Sequence, residues 1–185
     1  TFIKVARFQF PKDYITLIYA FSKIDHSNAQ LLLLGVGEDM SEAQNLVVEL
    51  GLEDRIIFIG FDVNPFAYHS KADCFVFSTG GEGFPNAMQE AIACGLPVIS
   101  TDCKNGPREI LKPGLSLSDD IFDRDPIYKG DAGILVPIGD VDAFANAMTT
   151  MMNDKELYLK FKKNLPAIAQ TYNLQDILDQ FSKYL

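Results

Sequence analysis

Residues 31–34 are four consecutive leucines, preceded by Gln30 and followed by Gly35-Val36-Gly37. A strand with one face in water alternates apolar and polar residues, so a run without alternation is covered on both faces. That points to a parallel sheet sandwiched between helices. Apolar runs predict strands over 2–8, 30–34, 55–59, 72–77, 96–100 and 133–137. Helical periodicity predicts helices over 12–24, 40–50, 64–70, 85–94, 141–153, 155–169 and 173–183, with a short one around Glu109. Ile15, Leu17, Ile18 and Phe21 carry the spacing in the first helix, and Leu174, Ile177, Leu178 and Phe181 in the last. Gly51 and Gly95 stop two of these helices, and Asp140 caps another. Strands and helices in alternation give an α/β fold, a doubly wound, Rossmann-like parallel sheet.

In open α/β sheets ligands bind outside the carboxyl ends of the strands. After the strand 72–77 comes Ser78-Thr79-Gly80-Gly81-Glu82-Gly83-Phe84-Pro85-Asn86-Ala87-Met88-Gln89-Glu90. This reads as a glycine-rich loop and the open start of a helix, with Pro85 in its first turn. Backbone N–H groups around the span from Gly83 to Asn86, together with the positive end of the helix dipole, suit a phosphate. Asn86 and Glu90 share one helix face, and Glu82 lies just ahead of them. Two carboxylates so placed could grip both ends of a phosphate-centred ligand. Arg7, near the end of the first strand, and Lys12 after it are candidates for fixed positive charge. The plainer alternative pairs Arg7 with an acidic neighbour and leaves Lys12, Glu82 and Glu90 solvated.

Several function classes fall away. The formal net charge of -9 over 185 residues argues against a nucleic-acid partner, so phosphate binding needs a local cation cluster. Gly35 and Gly37 suggest a dinucleotide fingerprint, but Met40 stands where G-x-G-x-x-G needs its third glycine, and the pair follows the second strand. Cys74, Cys94 and Cys103 have neither zinc-site nor disulfide spacing and read as buried, unreactive thiols in a reducing compartment. His26 and His69 lack a nucleophile or carboxylate partner at any recognisable spacing and are assigned to surface or structure. Residues 112–131 are rich in aspartate and read as a solvated, mobile loop. Asp123 and Asp125 imitate a metal-binding D-x-D, yet they lie away from a strand end, and the segment lacks the Gly and Glu of an EF-hand. No segment looks like a signal peptide or a membrane span.

Glu82 and Glu90 form an E-x7-E pair within EGFPNAMQEAIACGLPVISTD. That stretch resembles the donor-site signature of the retaining glycosyltransferases of family four, which have the GT-B fold. VARFQFPKD is similar to the family's first-strand motif, with Ala6 where glycine usually precedes Arg7, and TDC-x-x-GPREIL, beginning at Thr101, also looks like the family. The resemblance spans essentially the whole chain. It implies one half of a GT-B enzyme, with residues 1–185 as the donor-binding domain, the acceptor-binding domain preceding residue 1, and the final helix over about 173–184 packing on that absent domain.

The implied reaction transfers a sugar from a nucleotide sugar with retention, without metal or other cofactor. Arg7 and Lys12 would hold the diphosphate, Glu82 would lie near the donor sugar and Glu90 on the ribose. Gly83, Phe84, Pro85 and Asn86 would complete the donor seat, Gly35 and Gly37 would lie beside the nucleotide, and Phe61 would be either a neighbour of the base or a core residue. A UDP-hexose or UDP-N-acetylhexosamine is favoured, with a glycan or lipid-linked acceptor in surface polysaccharide synthesis. The implied location is cytoplasmic, with peripheral membrane association through the absent half. A sugar-nucleotide epimerase and a non-catalytic nucleotide-sugar-binding module are the competing readings.

Overall fold

The computed structural model describes residues 1–171 other than 113, 117 and 124, so the predicted helix over 173–183 lies outside the described residues. The elements are β1 (Phe2–Val5), α1 (Tyr14–Ser22), β2 (Leu31–Leu34), α2 (Met40–Glu49), β3 (Ile56–Gly60), α3 (Phe66–His69) and β4 (Cys74–Phe77). They continue as α4 (Asn86–Ala93), β5 (Val98–Thr101), α5 (Pro107–Leu111), β6 (Tyr128–Lys129), β7 (Gly133–Val136), α6 (Val141–Asn153) and α7 (Lys155–Thr171). The sheet runs β3-β2-β1-β4-β5-β7-β6. Every pairing is parallel except β6 with β7. Six strands thus take the doubly wound order, which reverses direction between β1 and β4, the position where such sheets open a crevice.

Pleating sorts each apolar run onto two faces. Leu31 and Leu33 join one core cluster with Leu17, Ile18 and Phe21 of α1, Val47 of α2 and Phe144 and Met148 of α6. Phe75, Phe77, Val98 and Leu135 join the other with Met88 and Ile92 of α4, Ile110 of α5 and Leu165 of α7. Burying each large apolar side chain contributes about 1.5–3 kcal/mol, which is why the leucine run tolerates no polar alternation. Asp13 caps α1 by accepting from the Thr16 N–H (2.9 Å), and Asp140 caps α6 by accepting from the Ala143 N–H (2.9 Å), as its position predicts. Gly51 and Gly95, at φ 64° and 78°, end α2 and α4.

Three expectations need correction. Residues 6–8 continue the ladder, with Phe8 N–H on Val36 O (3.1 Å), but strand geometry ends at Val5, paired with Leu34, beyond which Gly35 turns to φ 141°. Pro85 lies just outside α4 as its N-cap residue instead of in the first turn. The aspartate-rich stretch contributes strand β6 and is tied down by Arg108, whose Nη1 donates to Ser116 O (2.6 Å) and Asp119 O (2.8 Å). Asp119, Asp120 and Asp125 turn their carboxylates onto nearby backbone N–H groups, closing local turns.

His69 is structural, as expected, but strained in its chemistry. It is fully buried against Phe66 and Phe75, and neither ring nitrogen has a hydrogen-bond partner among the described residues. Burial lowers its pKa. Below about pH 6.5 the unfolded chain therefore takes up a proton that the folded chain resists, so this residue's part of stability is lost as pH falls. His69→Phe is expected to raise stability by roughly 1–2 kcal/mol at pH 8 and by more at pH 5.5. Urea unfolding at the two pH values checks this, and an equal gain at both would rule out the titration.

Candidate functional site

The crevice between β1 and β4 is built by two loops that leave the same edge of the sheet. After β1 the chain runs through Arg7 to Lys12 and enters α1. After β4 it runs through Thr79-Gly80-Gly81-Glu82 and enters α4. Buried hydroxyls lock the second loop to the end of β5, and a backbone bond ties it to the first. The Thr79 N–H donates to Thr101 Oγ1 (2.9 Å), and the Thr101 hydroxyl donates back to Thr79 O (2.7 Å). Gly80 N–H donates to Pro11 O (2.8 Å), so Lys12 and Glu82 are carried on bonded neighbours.

Lys12 and Glu82 form an ion pair, their side chains only 20% and 9% exposed. The Lys12 ammonium also stands 5.3 Å from the centroid of the Phe77 ring. Seventy residues separate the partners in sequence, yet the structure joins the residue expected on the diphosphate to the one expected on the sugar. Arg7 is exposed and takes the other side. It lines a cavity of about 480 Å³ with Gly35, Val36, Phe61, Asp62 and Pro65. Phe61 is 72% exposed, which removes the core alternative for it. Asp62 is held in place at the mouth by Asn64 N–H (2.8 Å) and the Tyr68 hydroxyl (2.9 Å), and these bonds keep its carboxyl below the usual range.

Gly35 and Gly37 have a packing reason of their own. A Cβ on Gly35 would lie 1.9 Å from Ala6 O, and one on Gly37 would lie 2.2 Å from Phe8 O. Both glycines let the β2 loop approach the β1 loop closely, and so shape the cavity from behind. Gly83, Phe84 and Asn86 are exposed around the start of α4, whereas Pro85 is buried. Pro85 touches the loop after β5, where a Cβ on Gly106 would fall 2.3 Å from the proline Cδ. Glu90, one turn into α4, faces a separate depression of about 310 Å³ with Phe66, Gln89, Ile92 and Ile168. The structure therefore brings together Lys12 with Glu82 and Arg7 with Phe61 and Gly35, while Glu90 lines a different depression.

The loop after β5 is anchored by a buried pair. Arg108 Nε donates to Asp102 Oδ1 (3.0 Å) and Nη2 donates to Oδ2, with both side chains 7% exposed. Cys103 in this loop is buried, and burial first, then the Glu82 and Asp102 charges, push its thiol up to about 11. Burial likewise raises Cys74 and Cys94, and all three cysteines are free, but Cys94 is only half-buried, which corrects the expectation that all three are buried. Sequence reasoning passed over Lys4, Ser78, Thr79, Thr101, Asp62, Asp102 and Arg108. The available signal was a polar residue inside or just after an otherwise apolar strand, except for Arg108, which lies in α5 and carried none.

A doubly wound sheet carrying cations and carboxylates at its switch point has the architecture of one half of a GT-B glycosyltransferase. The model of the family described as "Glycosyl transferases group 1" matches residues 1–167, and the chain belongs to that family. It is 34% identical to an uncharacterized glycosyltransferase of Methanocaldococcus jannaschii, over 97% of this chain and 48% of the relative. It is 30% identical to N-acetylgalactosamine-N,N'-diacetylbacillosaminyl-diphospho-undecaprenol 4-alpha-N-acetylgalactosaminyltransferase of Campylobacter jejuni, over 99% of this chain and 46% of the relative. Anabaena Alr3699/HepE, solved in complex with UDP and glucose, superposes with a TM-score of 0.82 at 22% identity, covering 99% of this chain and 47% of that one. The chain thus spans about half the length of these relatives.

Among the described residues no helix is long and apolar enough to cross a membrane.

Proposed function

We propose that this chain is the donor-binding half of a retaining, family-four glycosyltransferase that takes a UDP-hexose or UDP-N-acetylhexosamine. The carrying observation is the Lys12–Glu82 pair at the β1/β4 crevice, beside a cavity flanked by Arg7 and Phe61. The cavity suits the base, with the exposed Phe61 ring as a stacking face. Arg7 and Lys12 take the diphosphate, and the exposed Gly83 just ahead of α4 adds an N–H donor. The names of the relatives support this reading: the HepE complex holds UDP and glucose, and the Campylobacter jejuni protein is named as a transferase acting on a diphospho-undecaprenol. By that analogy the acceptor is a glycan or lipid-linked glycan, bound by a second domain.

Negative charge grows on the leaving diphosphate as the glycosidic bond breaks. Preorganised cations and backbone N–H groups stabilise that charge without reorganising. The acceptor oxygen attacks the face from which the diphosphate leaves, and its proton passes to the leaving phosphate. Glu82 serves as a hydroxyl acceptor on the sugar and not as a nucleophile, since a carboxylate accepts two or more hydrogen bonds. Part of that capacity is taken by Lys12 in this structure, so donor binding would exchange the ion pair for Lys12–phosphate and Glu82–hydroxyl contacts.

Because fixed cations do this work, UDP is expected to bind with the same affinity in EDTA and in magnesium. Calorimetric titration under both conditions tests it. No UDP binding in either would end the donor reading, and a large loss in EDTA would overturn metal independence and return attention to Asp123 and Asp125.

A further inference from the structure

Lys4 lies in the middle of β1, completely sealed from solvent, where the neighbouring strand positions are apolar. Its Nζ donates to Ser78 O (2.7 Å), to Ser78 Oγ (2.6 Å) and, at longer range, to Asp13 O (3.4 Å), and stands 4.0 Å from the centroid of the Tyr14 ring. The Ser78 hydroxyl spends its own hydrogen on Asp13 O. All three oxygens around Nζ are therefore acceptors. An ammonium has three hydrogens to give and an amine only two, and an aromatic face also attracts a cation. The site is built for the charged form. Burial, the largest influence, pulls its pKa well below the ordinary lysine value; the Asp13 carboxylate opposes that fall, the Lys12 charge adds to it, and the Glu82 carboxylate opposes it. Among the described residues no carboxylate reaches ion-pair distance of Lys4.

We propose that Lys4 is a buried third cation of the anion seat, a positioning residue that draws a nucleoside diphosphate into the β1/β4 crevice without touching it. This rests on the donor-site reading above. Ser78 follows β4 directly and precedes the Thr79–Glu82 loop, and Asp13 adjoins Lys12, so the ammonium binds the backbone roots of both arms of the crevice. Its charge is also felt by Lys12 and Glu82 themselves. A cation without an adjacent counter-ion is stabilised by an anion arriving above it. By linkage it strengthens the binding of that anion to the same degree.

The test is a charge series of uridine, UMP and UDP, titrated by NMR against the unaltered chain and against Lys4→Met, which keeps the stem and removes the charge. UDP affinity should fall about tenfold, the size of a unit-charge attraction across a short distance at a protein-like dielectric. UMP should lose less, and uridine should change by less than about twofold. A merely structural lysine would weaken all three ligands together. Equal losses across the series, or unchanged UDP affinity, overturn the inference while leaving the donor reading intact. Absence of UDP binding to the unaltered chain overturns both. If Lys4→Met does not fold, the Lys4 ¹³Cε resonance of the unaltered chain is titrated with and without inorganic pyrophosphate, alongside Asp13, Tyr14, Lys12 and Glu82. The anion should raise the Lys4 pKa, and an unmoved titration overturns the proposal.

Discussion

Arg108→Met is expected to cost about 3–5 kcal/mol of folding stability, because it leaves the Asp102 carboxylate buried without its partner. Asp102 is 7% exposed and takes both of its charge-assisted bonds from this guanidinium. The same side chain satisfies the carbonyls of Ser116 and Asp119, so its loss also releases the aspartate-rich stretch. The midpoint of urea unfolding should fall with little change in slope. A second variant separates the causes. Replacing Asp102 by Leu in the same chain removes the stranded charge and should recover more than half of the loss, since an apolar pair of similar volume often substitutes for a buried ion pair. No recovery would mean that the two carbonyl contacts, and not the carboxylate, carry the cost. Site consequences follow by contact, because the loop between Asp102 and Gly106 packs on Pro85 at the start of α4.

The second large effect divides the two glutamates. Glu90→Ala should weaken UDP and intact UDP-sugar alike, by about 1.5–3 kcal/mol if a charged hydrogen bond to the ribose is lost. That corresponds to roughly tenfold to a hundredfold in Kd. Glu82→Ala should act differently. It removes the acceptor for the sugar hydroxyl, so the intact donor weakens and turnover in the full-length enzyme drops. It also frees Lys12 from its ion pair, so bare UDP should bind as well as before or better. Lys12 is 20% exposed and can reach water, so this variant should fold normally. Calorimetry with UDP and with UDP-sugar on both variants decides the matter. If Glu82→Ala weakens bare UDP as much as Glu90→Ala does, the two ends of the site have been assigned wrongly. Glu90 faces a depression apart from the Arg7 cavity, so a null result for Glu90→Ala would remove it from the ribose and leave it a helix-surface residue.

Much of this architecture was legible before any coordinates. The leucine run of β2 required cover on both faces, and alternation with amphipathic helices then left few arrangements other than a doubly wound sheet. Asp140, Gly51 and Gly95 marked helix ends through their own backbone and side-chain chemistry. The glycine-rich loop between Phe77 and Asn86 was visible because strand, loop and helix start are contiguous. All of these signals act over fewer than about twenty residues, the range over which hydrophobic periodicity and capping operate.

What lay beyond reach was set by contacts between distant segments. β6 has two residues and exists only because β7 offers it an edge. Asp102 and Arg108 are near neighbours, but only burial turns them into a structural pair holding residues further along the chain. Lys12 and Glu82 were each nominated from local motifs, yet their pairing depends on the β1/β4 reversal that brings the two loops to one crevice. Lys4 is the clearest case. Along the chain it is one polar residue in an apolar run, compatible with an edge position or a solvated strand end. Only when β4 pairs beside β1 and α1 folds over it do three oxygens and an aromatic face converge on its ammonium. Periodicity along the chain settles which residues are buried. For Lys4 the decisive partner, Ser78, lies 74 residues away in the chain, and that information exists only in the folded molecule.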